Sequence, residues 1–285
     1  MKMPELIWLN GEVLPMSEAR IGVEDRGFQF ADGVYEVIRF YNGRPFTLRP
    51  HLERLERSAE GIVLKSPLAR ESLEAEIRKF IARASFKEGM IYLQLTRGAA
   101  PRNHIYSQLQ TATLLFYARP LPPLPEPGDG EGVKLLVVPD DRWHRCWIKS
   151  IALLPNVLAK NLAASQGYDE AAFVDNGVLT ECAASNLFAV VGKKLVTHPA
   201  GSRVLPGITR QVLFECAADL NIEIDERPIK EEEAQRSDEL FITSTTREIS
   251  WVARLNERYI GKARCGPMTI ALHRALQARV RAEAY

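Results

Sequence analysis

Apolar and polar positions change period several times along the chain, and each change predicts an element. In VYEVIRFYNGRPFTL the apolar residues alternate on both sides of Asn42-Gly43, a pair that suits a two-residue hairpin turn, so two strands are expected here. The next stretch, PHLERLERSAEGI, places Leu52, Leu55 and Ala59 at helical spacing after a proline suited to a first turn, and Arg70 to Ser85 repeats that period. MIYLQLT and ATLLFYA then read as strands, and residues 1–118 form a smaller α+β domain on this reading.

From Arg119 to Gly132 the pattern stops. Five prolines and three glycines fall within fourteen residues, which interrupts any helix or inner strand and predicts an interdomain linker over 119–132. Residues 133–285 resume with a strand, VKLLVVP, a helix, NVLAKNLAASQG, and a hairpin, EAAFVDNGVLTE, around Asp175-Asn176-Gly177. Strands NLFAVV and KLVTHP follow across a Gly192-Lys193 turn. ITRQVLFECAADLN is an amphipathic helix with Val212, Leu213, Cys216 and Leu220 on one face, and strand ELFITSTT runs into a polar loop. Hairpins with interspersed helices predict a two-domain α+β fold rather than a doubly wound parallel sheet.

Composition narrows the partners rather than the fold. With 37 basic and 36 acidic residues the net charge is +1, so no global field exists to hold nucleic acid, and any anion site must be local. Cys146, Cys182, Cys216 and Cys265 lie far apart with no paired spacing and no histidine cluster, which predicts structural thiols and no metal. The N-terminal MKMPELIWLNGEVLP lacks a long apolar run, and nowhere does the chain reach the roughly 18 apolar residues of a membrane span. A cytoplasmic location with reduced thiols is expected.

Three features carry candidate chemistry. LPGITR, Leu205 to Arg210, puts Gly207 where a loop becomes a helix, and Ile208 and Thr209 lead a helix start whose free N–H groups and dipole favour a phosphate. Ser244-Thr245-Thr246, directly after an apolar strand, is a second cluster of hydroxyls and amides of the kind that cradles anions. Glu181 follows a strand and stands five residues before Asn186, where an exposed edge charge would be the ordinary reading.

E-x-x-x-S-N-L-F from Glu181, followed by LVTHP and LPGITR at these intervals, resembles the signature of the class IV (fold-type IV) aminotransferases, which use pyridoxal 5'-phosphate (PLP). EDRGFQFADGVYEVIRFYNG, HLERL, TRGAAPRNH, WIKS and ITSTTREI extend the likeness across nearly the whole chain, and they are most similar to D-amino-acid aminotransferases. The resemblance implies a cofactor at the interface of the two domains. It matches Lys149 in WIKS to the lysine that carries the cofactor and shuttles the substrate proton. Glu181 matches the acid that holds the pyridine nitrogen protonated, which strengthens the electron sink. Arg54 in HLERL matches a phosphate-binding arginine, whose planar fork suits that group. Leu205, Gly207, Ile208, Thr209, Ser244 and Thr245 complete the implied cradle.

Arg102 and His104 match an R-x-H pair that forms a carboxylate trap with the tyrosine of the GVYE motif, here Tyr35, and a fixed α-carboxylate decides which face of Cα is presented. In the family that pair comes from the neighbouring subunit, so a homodimer is implied. The implied reaction exchanges the amino group of a D-amino acid such as D-alanine with 2-oxoglutarate, giving D-glutamate and a 2-oxo acid. A branched-chain L-amino-acid aminotransferase, an (R)-amine transaminase, an aminodeoxychorismate lyase and a catalytically silent homologue are the alternatives. The sequence departs from the family pattern at Ala184 for a serine, Ala31 for a glycine and Phe28 for a tyrosine.

Overall fold

The computed structural model describes residues 5–107 and 111–284, so the first four residues of the N-terminal stretch lie outside it. The chain divides into two compact units. The first comprises Met1–Pro123, Ile148–Ala152 and Ala282–Tyr285, and the second Leu124–Trp147 and Leu153–Arg281. Among the described residues no helix is long and apolar enough to cross a membrane.

The first unit contains β1 (Leu6–Leu9), β2 (Glu12–Pro15), α1 (Arg26–Phe30), β3 (Gly33–Tyr41), β4 (Arg44–Pro45), α2 (Leu48–Gly61), α3 (Arg70–Ala82), β5 (Gly89–Thr96) and β6 (Thr113–Pro120). Its six-stranded sheet runs β2-β1-β6-β5-β3-β4 with every neighbouring pair antiparallel. The β3–β4 turn has Asn42 and Gly43 at φ 48° and 74°, the left-handed conformations that an Asn-Gly hairpin requires. Asn10-Gly11 makes a second such turn, between β1 and β2, at φ 49° and 101°. Ile91, Leu93 and Leu95 alternate inward along β5 and pack with Leu52 and Leu55 of α2 and Ile77 and Phe80 of α3. The two helical periods in the sequence therefore mark the face that closes this core.

Ile148–Ala152 packs with this unit, which corrects the expectation that everything after residue 132 would pack as one domain. The reason is local. Tyr35 N donates to the Lys149 carbonyl at 3.0 Å, Ile151 N donates to the Gly33 carbonyl at 3.1 Å, and Ile148 joins the core.

The second unit contains β7 (Val133–Pro139), α4 (Leu154–Ser165), β8 (Glu170–Asp175), β9 (Val178–Cys182), β10 (Asn186–Val191), β11 (Lys194–Thr197), α5 (Ile208–Asp219) and β12 (Glu223–Glu226). Then come β13 (Ile229–Lys230), α6 (Glu231–Gln235), β14 (Glu239–Ser244), β15 (Glu248–Leu255), β16 (Arg258–Tyr259) and α7 (Pro267–Ala284), whose last residues belong to the first unit. Strand order is β12-β11-β10-β14-β15-β7-β8-β9-β13, with β16 paired to β15. The class is α+β, as the hairpins indicated. Three pairs, β7–β8, β7–β15 and β11–β12, are nevertheless parallel. Helices α4 and α5 each connect the two strands of one parallel pair, a crossover that hairpin signals do not reveal. Along β8, Ala171 and Phe173 face Ala159 and Ala163 of α4, while Ala172 enters the core on the opposite side. Phe188 of β10 stacks on Phe241 of β14 at 5.1 Å and meets Phe214 of α5 edge-on at 6.3 Å, which seats α5 on the sheet.

Candidate active site

Lys149 is half-buried in the first unit, and its backbone is held at both ends. Its carbonyl accepts from Tyr35 N, its N–H donates to Ser58 Oγ at 3.1 Å, and its Nζ lies 4.2 Å from the centre of the Tyr35 ring. The structure thus brings together Lys149 and Tyr35, two residues 114 positions apart, by laying the lysine segment along the start of β3.

One register step beyond Tyr35, Glu36 is fully buried. Arg54 Nε and Nη2 donate to its two oxygens at 2.7 and 2.8 Å, and His51 Nδ1 lies 2.7 Å from Oε2. Burial pushes the Glu36 carboxyl up, but the charge and hydrogen bonds of Arg54 outweigh it and hold the group at about 2. Burial lowers the His51 imidazole against the opposing pull of Glu36. Arg54 is therefore oriented by Glu36 rather than by its sequence neighbours Glu53 and Glu56, which pair with Arg70.

Arg102 and His104 are exposed on the loop after β5. The Arg102 guanidinium lies 4.9 Å from the centre of the Phe30 ring, and the His104 ring lies 5.4 Å from it. Tyr35 stacks toward Tyr92 at 5.9 Å, whereas Arg102 and His104 take Phe30 as their ring partner. The loop is moored by Asp32, which accepts from Arg97 Nε and Nη2 at 2.8 and 3.0 Å and from Arg26 Nε at 2.9 Å. Arg26 in turn donates to the Asn103 carbonyl, and Arg97 lies over Tyr106 at 3.7 Å. Ala31, which precedes Asp32, is left-handed at φ 54°, a position that a glycine would occupy with less strain.

Glu181 lies in the second unit, buried on β9 rather than at an exposed edge. Its Oε1 accepts from Arg142 Nη1 at 2.5 Å, and its Oε2 accepts from Asn186 Nδ2 at 2.9 Å and from Leu205 N at 3.1 Å. Asn186 also donates to the Leu205 carbonyl at 2.9 Å, so one side-chain amide joins the acid to the loop before α5. That loop approaches closely. A Cβ on Gly207 would come 2.1 Å from Asn186 Oδ1, which is why a glycine stands there. Gly207 supplies no side-chain cap, and the first N–H groups of α5 remain open to an anion. Asn186 pairs in register with Thr243, the residue before Ser244; Ser244 ends β14 and Thr245 begins the turn to β15. Glu181, the α5 start and this turn therefore converge around the first residue of β10. Thr243 Oγ1 is buried there without a hydrogen-bond partner.

The class IV amino-transferase family matches residues 33–255. The chain belongs to the class IV aminotransferases. This aminotransferase is 36% identical to the D-alanine aminotransferase of Bacillus licheniformis over 277 residues, covering 97% of this chain and 98% of the relative. Among solved structures it is similar to the branched-chain amino acid aminotransferase of Escherichia coli, with a TM-score of 0.91 at 26% identity, covering 99% of this chain and 97% of that one. It is equally similar to a branched-chain amino acid aminotransferase of T.th. solved with pyridoxamine 5'-phosphate, with a TM-score of 0.91 at 27% identity and coverage of 99% and 95%.

Several residues that hold the candidate groups in place escaped the sequence reading. Glu36 and His51 stood inside the quoted motifs GVYE and HLERL, yet nothing in their spacing showed that they meet. Arg142 and Asp140 carried no signal beyond being polar residues near an apolar strand, and Asn186, though part of the E-x-x-x-S-N-L-F run, was given no role.

Proposed function

We propose that this aminotransferase binds PLP and exchanges the amino group of D-amino acids, D-alanine among them, with 2-oxoglutarate to give D-glutamate and a 2-oxo acid. The observation that carries the cofactor reading is the donor set. Lys149 offers a primary amine on a fixed backbone, Glu181 is a buried carboxylate with three donors, and Thr243 Oγ1 has no partner beside an uncapped helix start. These groups fit PLP. Lys149 would hold it covalently and Glu181 its ring nitrogen. The N–H groups of Ile208 and Thr209, the hydroxyls of Ser244 and Thr245, and Arg54 would hold its phosphate, with the loop of Leu205 and Gly207 shaping the cradle. When bound, PLP supplies an electron sink for the bonds at the substrate's Cα.

The rest of the work falls to the chain's own groups. Lys149 Nζ, freed once the substrate's amine has displaced it, would take the proton from Cα and deliver it again, acting as general base and then general acid. Glu36 and His51 keep the Arg54 fork in one orientation, and Asn186 holds Glu181 and the α5 start in register with each other. The D-amino-acid assignment draws on the relatives named D-alanine aminotransferase and on Tyr35, Arg102 and His104 as a carboxylate trap. Since Arg102 and His104 pack on Phe30 rather than on Tyr35 within the chain, the reading includes a homodimer in which they serve a partner subunit. The test is a panel of D- and L-amino acids with 2-oxoglutarate, analysed for the chirality of the glutamate formed. D-glutamate from D-alanine supports the assignment, and L-glutamate from L-leucine or L-isoleucine as the faster reaction contradicts it.

A further inference from the structure

We propose that Asp140 is a charge-balancing positioning residue: by holding the Arg142 guanidinium it keeps that cation from neutralising Glu181, and so sets the protonation of the cofactor's ring nitrogen. The inference rests on the reading of Glu181 as the acid that meets that nitrogen. Asp140 follows β7 directly, and its side chain is completely buried. Arg142 gives it two bonds, from Nε to Oδ1 and from Nη2 to Oδ2, both at 2.9 Å, but gives Glu181 one bond, from Nη1. Thr180 Oγ1, on the strand that carries Glu181, donates to Asp140 Oδ2 at 2.9 Å and fixes the second carboxylate against the first.

In this cluster two buried carboxylates share one guanidinium. The neighbouring Arg203 lies 3.6 Å from Asp140 Oδ2 and 2.8 Å from Asp175 Oδ2, so it ties the cluster to a third carboxylate. The thiols packed nearby add no charge. Burial pushes Cys146 up to about 11 and raises Cys182 well above the ordinary thiol range. Asp140, Glu181 and Asp175 against Arg142 and Arg203 leave the cluster one negative charge in excess. A buried excess of that kind is costly unless a cation meets it, and a protonated ring nitrogen at Glu181 is such a cation. Without Asp140 the guanidinium would serve Glu181 alone, the cluster would be neutral, and the pull on the ring proton would fall.

The experiment uses the holoenzyme loaded with PLP labelled with 15N in the ring, whose chemical shift reports protonation of that nitrogen across pH. Relative to wild type, Asp140→Asn is expected to lower the pH at which the ring proton is lost by about one unit or more, and to raise the PLP dissociation constant about threefold to tenfold. Asp140→Asn combined with Arg142→Gln restores the excess negative charge, and is expected to recover the wild-type shift. A purely structural role predicts that the double variant is at least as impaired as the single one. Thr180→Val, which removes the hydroxyl bonded to Asp140 and no charge, is expected to move the shift in the same direction by less, and it serves if Asp140→Asn does not fold. An unchanged 15N titration in Asp140→Asn, or in Thr180→Val if it alone folds, overturns the inference, as does a double variant that folds without recovery. Wild-type protein that takes up no PLP would instead overturn the proposed function.

Discussion

Glu36 and Arg54 meet in a bidentate pair from which solvent is excluded, with Arg54 Nε and Nη2 at 2.7 and 2.8 Å from the two carboxylate oxygens. The pair fixes the plane of the guanidinium, and with it the direction in which Arg54 can present its remaining donor face. Removing one partner of a buried pair leaves an uncompensated charge and costs about 3–5 kcal/mol.

Acid stability is expected to report this pair. Glu36 is held near 2, below its ordinary 4.5, so its contribution is complete above about 4.5 and is lost as pH falls toward 2. His51 is lowered from 6.5 by burial, so below that pH the unfolded chain binds a proton that the buried ring does not, and stability again falls with pH. Denaturant unfolding of Glu36→Gln across pH should show a less stable protein with a flatter slope between 4.5 and 2. An unaltered slope would show that the pair does not govern the acid limb.

Lys149→Ala is expected to abolish covalent PLP attachment while leaving weaker, non-covalent binding through the phosphate contacts. Borohydride reduction followed by peptide mapping should place the pyridoxyl group on Lys149 in the wild type. Recovery of the group on another lysine rules out the assignment.

Gly207→Ala tests the close approach at the α5 start. Its backbone suits alanine, but the added Cβ would sit 2.1 Å from Asn186 Oδ1, so either Asn186 or the helix start must move. Overpacking of this kind costs about 1–3 kcal/mol, and the PLP concentration for half-saturation is expected to rise about tenfold. Unchanged affinity in a folded variant would mean that the α5 start does not bear on the cofactor.

Both units show how far a sequence can be read. Gly207 and Ser244 stood out locally as a helix start and a polar strand end, whereas Lys149 and Glu181 were singled out by the resemblance of WIKS and E-x-x-x-S-N-L-F to the class IV pattern. Hairpins at Asn42-Gly43 and Asn176-Gly177 were legible because the turn chemistry is local. Arg142, Asp140 and Asn186 were not, because their roles come from register between strands that are distant in sequence. Asn186 opposite Thr243 is such a pairing, 57 positions apart. The return of Ile148–Ala152 to the first unit was hidden likewise, since two backbone hydrogen bonds to Gly33 and Tyr35 leave no trace in side-chain periodicity.

Glu181→Gln should keep the fold and bind PLP but slow the half-reaction, because an amide cannot hold a charged ring nitrogen. Loss of one charge-assisted bond in a buried site is worth roughly 1.5–3 kcal/mol, or about a ten- to hundredfold slowing. Single-turnover absorbance changes on adding amino donor measure it, and wild-type rates would remove Glu181 from the mechanism.

Arg102→Ala is expected chiefly to raise the KM of amino-acid donors with a smaller effect on kcat, because a carboxylate contact made equally in ground and transition states changes binding more than turnover. Amines that lack a carboxylate should be nearly indifferent to the change. Equal effects on both classes of donor would assign Arg102 a structural role.

The most direct measurement is a stopped-flow comparison of single half-reactions, following loss of the PLP absorbance band after mixing the loaded wild-type enzyme with D-alanine, L-alanine or L-leucine. The band is expected to bleach fastest with D-alanine, to recover on adding 2-oxoglutarate, and to leave D-glutamate as the product. Faster bleaching by L-leucine than by D-alanine, with L-glutamate recovered, would contradict the D-amino-acid assignment.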